Sequence, residues 1–172
     1  TTISELSVAY NMALGEGIVP HIVLGLQGGI GQRTINYSNL QFPNQADPFS
    51  KKYNPDILNG ENNLSDNRSY PDISAGGLWY YSPNENFNVY AGTALLHINK
   101  PNQSFLGETA NRYRKLVLHG GSQFPISKNI DLIPAVLFLK QGPKTEFDWG
   151  TFLEYTLVKY KNEKTSVAIG FW

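Results

Sequence analysis

The stretch EFDWGTFLEYTL (residues 146–157) decides the fold class, because large apolar residues recur at every second position from 147 to 157 except at Thr151. One side carries Phe147, Trp149, Leu153, Tyr155 and Leu157, and the other carries Glu146, Asp148, Glu154 and Thr156. A period of two is typical of a β-strand with one apolar face. The sequence therefore predicts a strand here, with three carboxylates on its polar face.

Seven further segments alternate in the same way, and helical periodicity is nearly absent. They are residues 6–12, 22–30, 73–81, 87–98, 116–124, 130–139 and 167–171. Most of the strands approach the roughly 9–11 residues that a tilted strand needs to cross a bilayer. We predict an all-β chain, an antiparallel meander of eight strands that forms part of a transmembrane outer-membrane β-barrel.

The composition supports a single barrel domain over residues 1–172. Charged residues make up 16% of the chain, well below the roughly 25% of soluble domains. Lys and Arg number 14, as do Asp and Glu, and Cys is absent. This balance argues against an electrostatic nucleic-acid binder, and the lack of Cys excludes disulfide scaffolds, Cys-based zinc sites and thiol catalysis.

The predicted connections alternate in length. Short turns lie near residues 15, 84, 127 and 162, whereas 33–70 is long, 99–111 is of medium length and 140–145 is moderate. Outer-membrane barrels have short periplasmic turns and longer outer loops, so we assign the long connections to the cell exterior. An aromatic girdle is expected beside the short turns: Trp79, Tyr80, Tyr81, Phe87, Phe124 and Tyr160.

With this orientation both chain ends lie on the exterior, although barrel chains normally begin and end in the periplasm. We therefore expect an internal segment of a larger barrel. In the alternative, Phe171 and Trp172 are the terminal aromatic signal of a complete eight-stranded barrel.

Three stretches resemble the PorP/SprF family of type IX secretion system membrane proteins, and together they span most of the chain in family order. They are GLQGGIGQRTINYSNLQFPNQADP (25–48), ISAGGLWYYSPNENFNVYAGTALLHINKPNQSF (73–105) and YRKLVLHGGSQFPISKNIDLIPAVLFLKQGPKTEFDWG (113–150). The most specific pieces are LHGG (118–121), KPNQSF (100–105) and KQGP (140–143).

The resemblance implies a Bacteroidota outer-membrane barrel of the type IX secretion and gliding machinery. It also implies a role in the secretion or surface attachment of cargo proteins with C-terminal sorting domains, including adhesins. Its partners would be outer-membrane lipid, this cargo and other type IX components. Two alternatives remain open: a small-solute porin, and a soluble β-sandwich binding module.

Candidate catalytic and metal-binding residues are sparse. His21, His97 and His119 stand on different strands without a ligand partner at suitable spacing, so we predict hydrogen-bonded lumen residues and no metal or cofactor. Ser122 and His119 are three residues apart and fall on opposite faces of a strand, which argues against a hydrolase, although a lipid-modifying enzyme stays the least favoured alternative. The chain is therefore predicted not to be an enzyme.

Two further groups of residues have plainer interpretations. Glu146, Asp148 and Glu154 are predicted to form a lumen wall, with Lys115 and Lys144 available to offset their charge. Gly25, Gly28, Gly29 and Gly31 are predicted to relieve crowding at a bend, because no helix follows them to complete a phosphate cradle.

Residues 33–70 are the segment predicted to carry function, since unstructured connections of this length are usually functional or disordered. Its candidate partner-binding residues are Arg33, Phe42, Phe49, Tyr53 and Arg68. Three interpretations compete: a cap over the lumen, a docking surface for a secreted protein, and a merely solvated loop.

Overall fold

The computed structural model describes residues 1–35, 45–46, 52–54, 57, 67–84, 86–105, 109–160 and 163–172. Eight strands follow one another in these residues: β1 Thr2–Ala13, β2 His21–Thr34, β3 Asn67–Asn84, β4 Phe87–Leu96, β5 Lys115–Ser127, β6 Ile130–Gln141, β7 Lys144–Tyr160 and β8 Glu163–Phe171. The described part of the chain contains no helix long and apolar enough to cross a membrane.

The strands form one antiparallel sheet in sequence order, from β1 to β8. Each strand pairs with the next, as the alternating segments predict, so the eight-stranded meander is confirmed. The outermost strands, β1 and β8, do not pair with each other in the part of the chain that the structure describes. An open sheet of long strands is consistent with part of a larger barrel.

The sheet has an apolar face whose side chains are largely exposed. Leu6, Leu26 and Ile169 on this face are 75%, 68% and 76% exposed. Among the described residues Tyr70 is the one buried hydrophobic side chain, at 4% exposure. A β-sandwich would bury such a face against a second sheet, and no second sheet packs on it within the described residues. Within the described residues the soluble sandwich alternative therefore has no support, and an exposed apolar face of this kind fits a barrel that meets lipid.

Rings cover several glycines on the opposite, polar face. The ring of Tyr70 lies over Gly31, where an added Cβ would be 2.4 Å from Cζ of the ring. The ring of Tyr90 lies over Gly121, where an added Cβ would be 2.7 Å from the tyrosine hydroxyl. A Cβ at Gly29 would lie 2.6 Å from the carbonyl oxygen of Ser4, so the crowding predicted for the glycines of β2 is confirmed at Gly29 and Gly31, while the predicted bend stays a prediction. The predicted crowding is wrong for Gly25 and Gly28, which have no neighbour closer than 3.9 Å.

Several predicted boundaries differ from the structure. Arg33, Arg68 and Tyr70 lie in paired strands, so the second connection spans residues 35–66 and not 33–70. The predicted moderate connection at 140–145 is a two-residue turn, Gly142–Pro143. Gly142 has φ +58°, and glycine at the first central position of a two-residue hairpin allows this tight reversal.

The predicted aromatic girdle needs one correction. Trp79, Tyr81 and Phe87 share the apolar face beside a short turn, and the rings of Tyr81 and Phe87 meet edge to face at 6.4 Å. Tyr80 instead points to the polar face, because neighbouring residues of a strand face opposite ways. There it stacks on His21 with ring centroids 5.0 Å apart. The side chain of Tyr160 lies outside the described residues.

Candidate partner-binding surface at the long-loop end

The two ends of the sheet differ in their connections. The long-loop end carries connections 35–66 and 97–114 together with the Gly142–Pro143 turn. The short-turn end carries 14–20 and three connections of two residues each, 85–86, 128–129 and 161–162. The long-loop end is therefore where the chain has most material outside the strands.

Residues 97–114 are here called the β4–β5 loop, and the beginning of this loop, residues 97–99, folds back along the free part of β3. Ile98 N–H donates to the carbonyl of Ile73 at 2.8 Å. The side-chain amide of Asn99 accepts from Ile73 N–H at 3.2 Å and donates to the carbonyl of Pro71 at 2.8 Å. β4 ends at Leu96, so these bonds satisfy backbone groups of β3 that would otherwise form an unpaired edge.

The described parts of this loop are cross-linked internally. Asn102 Oδ1 accepts from the backbone N–H groups of Ser104 and Ala110 at 3.0 and 3.1 Å. Gln103 N–H donates to the carbonyl of Ala110, and Arg112 N–H to that of Pro101, both at 3.0 Å. The two limbs of the loop are thus tied together.

Asp72 is the centre of the attachment between the loop and the sheet. This carboxylate is 6% exposed and lies 2.7 Å from Nδ1 of His97, which has a positive φ of 57° just after β4. Arg112 approaches the same carboxylate at 3.8 Å. A buried carboxylate requires such partners, so Asp72 connects β3 to both limbs of the loop.

A second attachment joins the loop to β2. The guanidinium carbon of Arg33 lies 5.5 Å from the ring centroid of Phe105, and Nη1 of Arg33 is 3.5 Å from Oε1 of Gln103. Cation–π contacts of this kind contribute about 0.5–1 kcal/mol at exposed sites. The loop therefore lies over the polar face, toward which both Arg33 and Asp72 point.

The predicted partner-binding residues are distributed as follows. Arg33 and Arg68 are directly opposite each other in the β2–β3 register. Tyr53 is 39% exposed and forms an isolated bridge with Ala46. Phe42 and Phe49 lie outside the described residues, so their role stays a prediction. The sequence analysis missed Asp72 and Arg112, because their link to His97 joins residues far apart in the chain.

The histidine predictions are confirmed in part. Nδ1 of His21 contacts Oδ1 of Asn11 at 3.3 Å on the polar face. His119 also faces that side, where its ring lies 5.9 Å from that of Tyr90. His97 departs from expectation, since it lies beyond the end of its strand and contacts a carboxylate that local spacing did not reveal.

Ser122 and His119 point to opposite faces, as predicted, since their register partners on β4 are Val89 and Gly92. No group of three or more His, Asp or Glu side chains suited to a metal ion occurs within the described ranges.

A separate polar network lies at the short-turn end. Asp131 and Glu154 are register partners on β6 and β7, and Nε2 of Gln123 donates to both, at 2.9 and 3.4 Å. Ser166 donates to Glu154, and Asn88 donates to Gln123 at 3.1 Å. Glu154 therefore belongs to this network, and the contacts of Asp72 with His97 and Arg112 involve neither Lys115 nor Lys144.

Comparison with known proteins supports one family. A search of curated proteins and a search of solved structures gave no match. The sequence model for the type IX secretion system membrane protein PorP/SprF matches residues 1–172, the whole chain. The match covers all eight strands and both long connections. The chain therefore belongs to the PorP/SprF family of type IX secretion system membrane proteins.

Proposed function

We propose that this chain is part of an outer-membrane barrel whose long-loop end faces the cell exterior and binds secreted cargo. The cargo would carry C-terminal sorting domains and would be secreted, or retained at the cell surface, through this contact. The short-turn end would meet other components of the secretion and gliding machinery. The surface that binds cargo would include Arg33, Tyr53 and Arg68, together with Phe42 and Phe49 of the same connection.

The observation that carries this proposal is the folded β4–β5 loop on the polar face. Its attachment through Asp72, His97 and Arg112 holds a polar surface at one end of the sheet. A loop held in one conformation loses little conformational entropy when a partner binds, which favours affinity. Family membership supports a role in type IX secretion.

Cargo export in living cells tests the proposal. In a strain lacking the gene, the full-length protein is restored either unchanged or with residues 100–112 replaced by a Gly-Ser linker of equal length. A control variant carries Lys128→Ser in the β5–β6 turn. We expect the loop variant to reach the membrane at normal level but to lose surface cargo, measured with an antibody to the cargo, while the control retains it. Normal cargo export by the loop variant would contradict the proposal.

A small-solute channel is the second candidate, and one feature favours it. The polar face of β1–β4 has an open groove of about 210 Å³ lined mainly by small side chains, including Ser7, Ala9, Gly25, Gly76 and Ala94. Single-channel recording of the full-length protein in a planar bilayer distinguishes the candidates. Steady open conductance would favour a channel, and its absence would favour the cargo-binding role.

A further inference from the structure

Arg33 and Arg68 place two positive charges directly opposite each other at the long-loop end. They are register partners on β2 and β3. Both belong to the polar face, because residues two positions apart on a strand share a face. Arg33 is two positions from Gly31 on β2, and Arg68 is two positions from Tyr70 on β3, where Tyr70 packs over Gly31. Side chains directly opposite in an antiparallel pair have Cβ atoms about 4.5–5.5 Å apart, so like charges there repel each other.

Within the described residues neither arginine forms a salt bridge with a carboxylate. Asp72 is the nearest carboxylate along the same face of β3, but it is already occupied by His97 and Arg112. It therefore does not neutralise Arg68. The repulsion between the two arginines is relieved most directly by an anion that binds both.

Arg33 is held in position for such an anion. Its guanidinium rests over the Phe105 ring and contacts Gln103 through Nη1, which leaves the remaining donors of its five N–H groups available. Arg68 is exposed. Two guanidinium groups with free donors match the geometry of carboxylates, which they bind bidentately.

We propose that Arg33 and Arg68 together form a receptor for the carboxylates of an acidic segment of the secreted partner. The position of both arginines on the polar face favours a protein over a lipid as the source of the anion. In a membrane barrel, lipid would contact the apolar face, on which Lys140 lies at the same end of the sheet, whereas Arg33 and Arg68 belong to the opposite face. This inference rests on the proposed function and names the chemistry that the partner must present.

Peptide binding to the purified full-length protein in detergent tests the inference. The probe is fluorescein-labelled octaglutamate, with octaglutamine as the uncharged comparison, and binding is measured by fluorescence anisotropy. The variants are Arg33→Gln with Arg68→Gln, and Arg33→Lys with Arg68→Lys. Lys140→Gln is the matched control, because it removes one charge from the same end of the sheet but from the opposite face. Heat-modified gel migration verifies that each variant is folded.

We expect octaglutamate to bind the unchanged protein and octaglutamine not to bind. The double glutamine variant should bind at least about tenfold more weakly, since a hydrogen bond to a charged group is commonly worth that much or more. The double lysine variant should have intermediate affinity, because it keeps the charge and loses bidentate geometry. Lys140→Gln should bind as the unchanged protein does.

Three results would overturn the inference: no octaglutamate binding by the folded unchanged protein, an equal loss in Lys140→Gln, or full displacement of the peptide by an equal concentration of inorganic phosphate. The last would identify a small-anion site instead. Failure of the proposed function is seen separately, as cargo export that does not depend on residues 100–112. Export that needs this loop but tolerates the double glutamine variant would contradict the arginine receptor alone.

Discussion

Gly31 has no side chain, and the ring of Tyr70 occupies the space that a side chain at position 31 would need. A Cβ at this position would lie 2.4 Å from Cζ of Tyr70, and Tyr70 is 4% exposed, so its ring has little room to move. We expect Gly31→Ala to lower the free energy of unfolding by about 1–3 kcal/mol, as overpacking does. Denaturant unfolding of the full-length protein in detergent, followed by heat-modified gel migration, measures the effect.

Gly28→Ala is the matched control for this prediction. Gly28 is on the same strand but has no heavy atom within 4 Å of a built Cβ. Its substitution should leave stability unchanged or raise it slightly, because Ala restricts the unfolded chain. Equal destabilisation by both substitutions would show that loss of glycine flexibility, and not contact with Tyr70, is responsible.

Asp72 is expected to be the residue on which attachment of the β4–β5 loop most depends. Asp72→Ala leaves His97 and Arg112 without their shared carboxylate, and a buried polar group that loses its partner typically costs about 1–3 kcal/mol. Limited proteolysis should cut the 97–114 loop faster in this variant than in the unchanged protein. Asp148→Ala serves as the control, since the carboxylate that His97 and Arg112 contact is that of Asp72 and not that of Asp148. Equal cleavage of the Asp72 variant and the control would refute the attachment.

The β6–β7 turn is shorter than expected, and it has its own test. Gly142 has φ +58°, and a Cβ there would lie 2.8 Å from the Tyr113 ring. Asn tolerates the left-handed conformation, so Gly142→Asn isolates the clash with Tyr113. We expect it to destabilise the protein by about 1–3 kcal/mol in the same unfolding assay.

Gly17→Asn is its counterpart, because Gly17 has φ +82° but no atom within 4 Å of a built Cβ. This substitution should be tolerated. A similar loss of stability in both variants would attribute the requirement for glycine to backbone conformation alone.

The strands were predictable from the sequence because one face meets lipid and the other does not. Residues such as Phe147 and Trp149 alternate with Asp148 and Gly150, and this local pattern needs no knowledge of a partner strand. Strand limits were less predictable, since Arg33 and Arg68 extend β2 and β3 by pairing across the sheet, and the sequence of either strand alone does not show this pairing. β6 also carries apolar residues such as Leu137 and Leu139 on the polar face, which blurs its alternation.

The candidate site was predictable only in part, for a related reason. Arg33 and Arg68 lie within a segment whose length alone draws attention. Asp72 and Arg112 are forty residues apart and are brought together by the return of the β4–β5 loop along β3. No local spacing encodes such a contact.

The orientation of the whole molecule in the membrane can be tested with single cysteines, because the chain itself contains none. Lys100→Cys places a thiol in the exposed β4–β5 loop at the long-loop end, and Lys128→Cys places one in the exposed β5–β6 turn at the short-turn end. If the long-loop end faces the exterior, a membrane-impermeant maleimide should label intact cells at position 100 and not at 128, whereas both positions should react in lysed cells. The reverse labelling pattern would show the opposite membrane orientation, with Arg33, Arg68 and the Asp72 attachment in the periplasm. The β4–β5 loop would then face the secretion machinery, and cargo binding at the cell surface would have to involve the short-turn end.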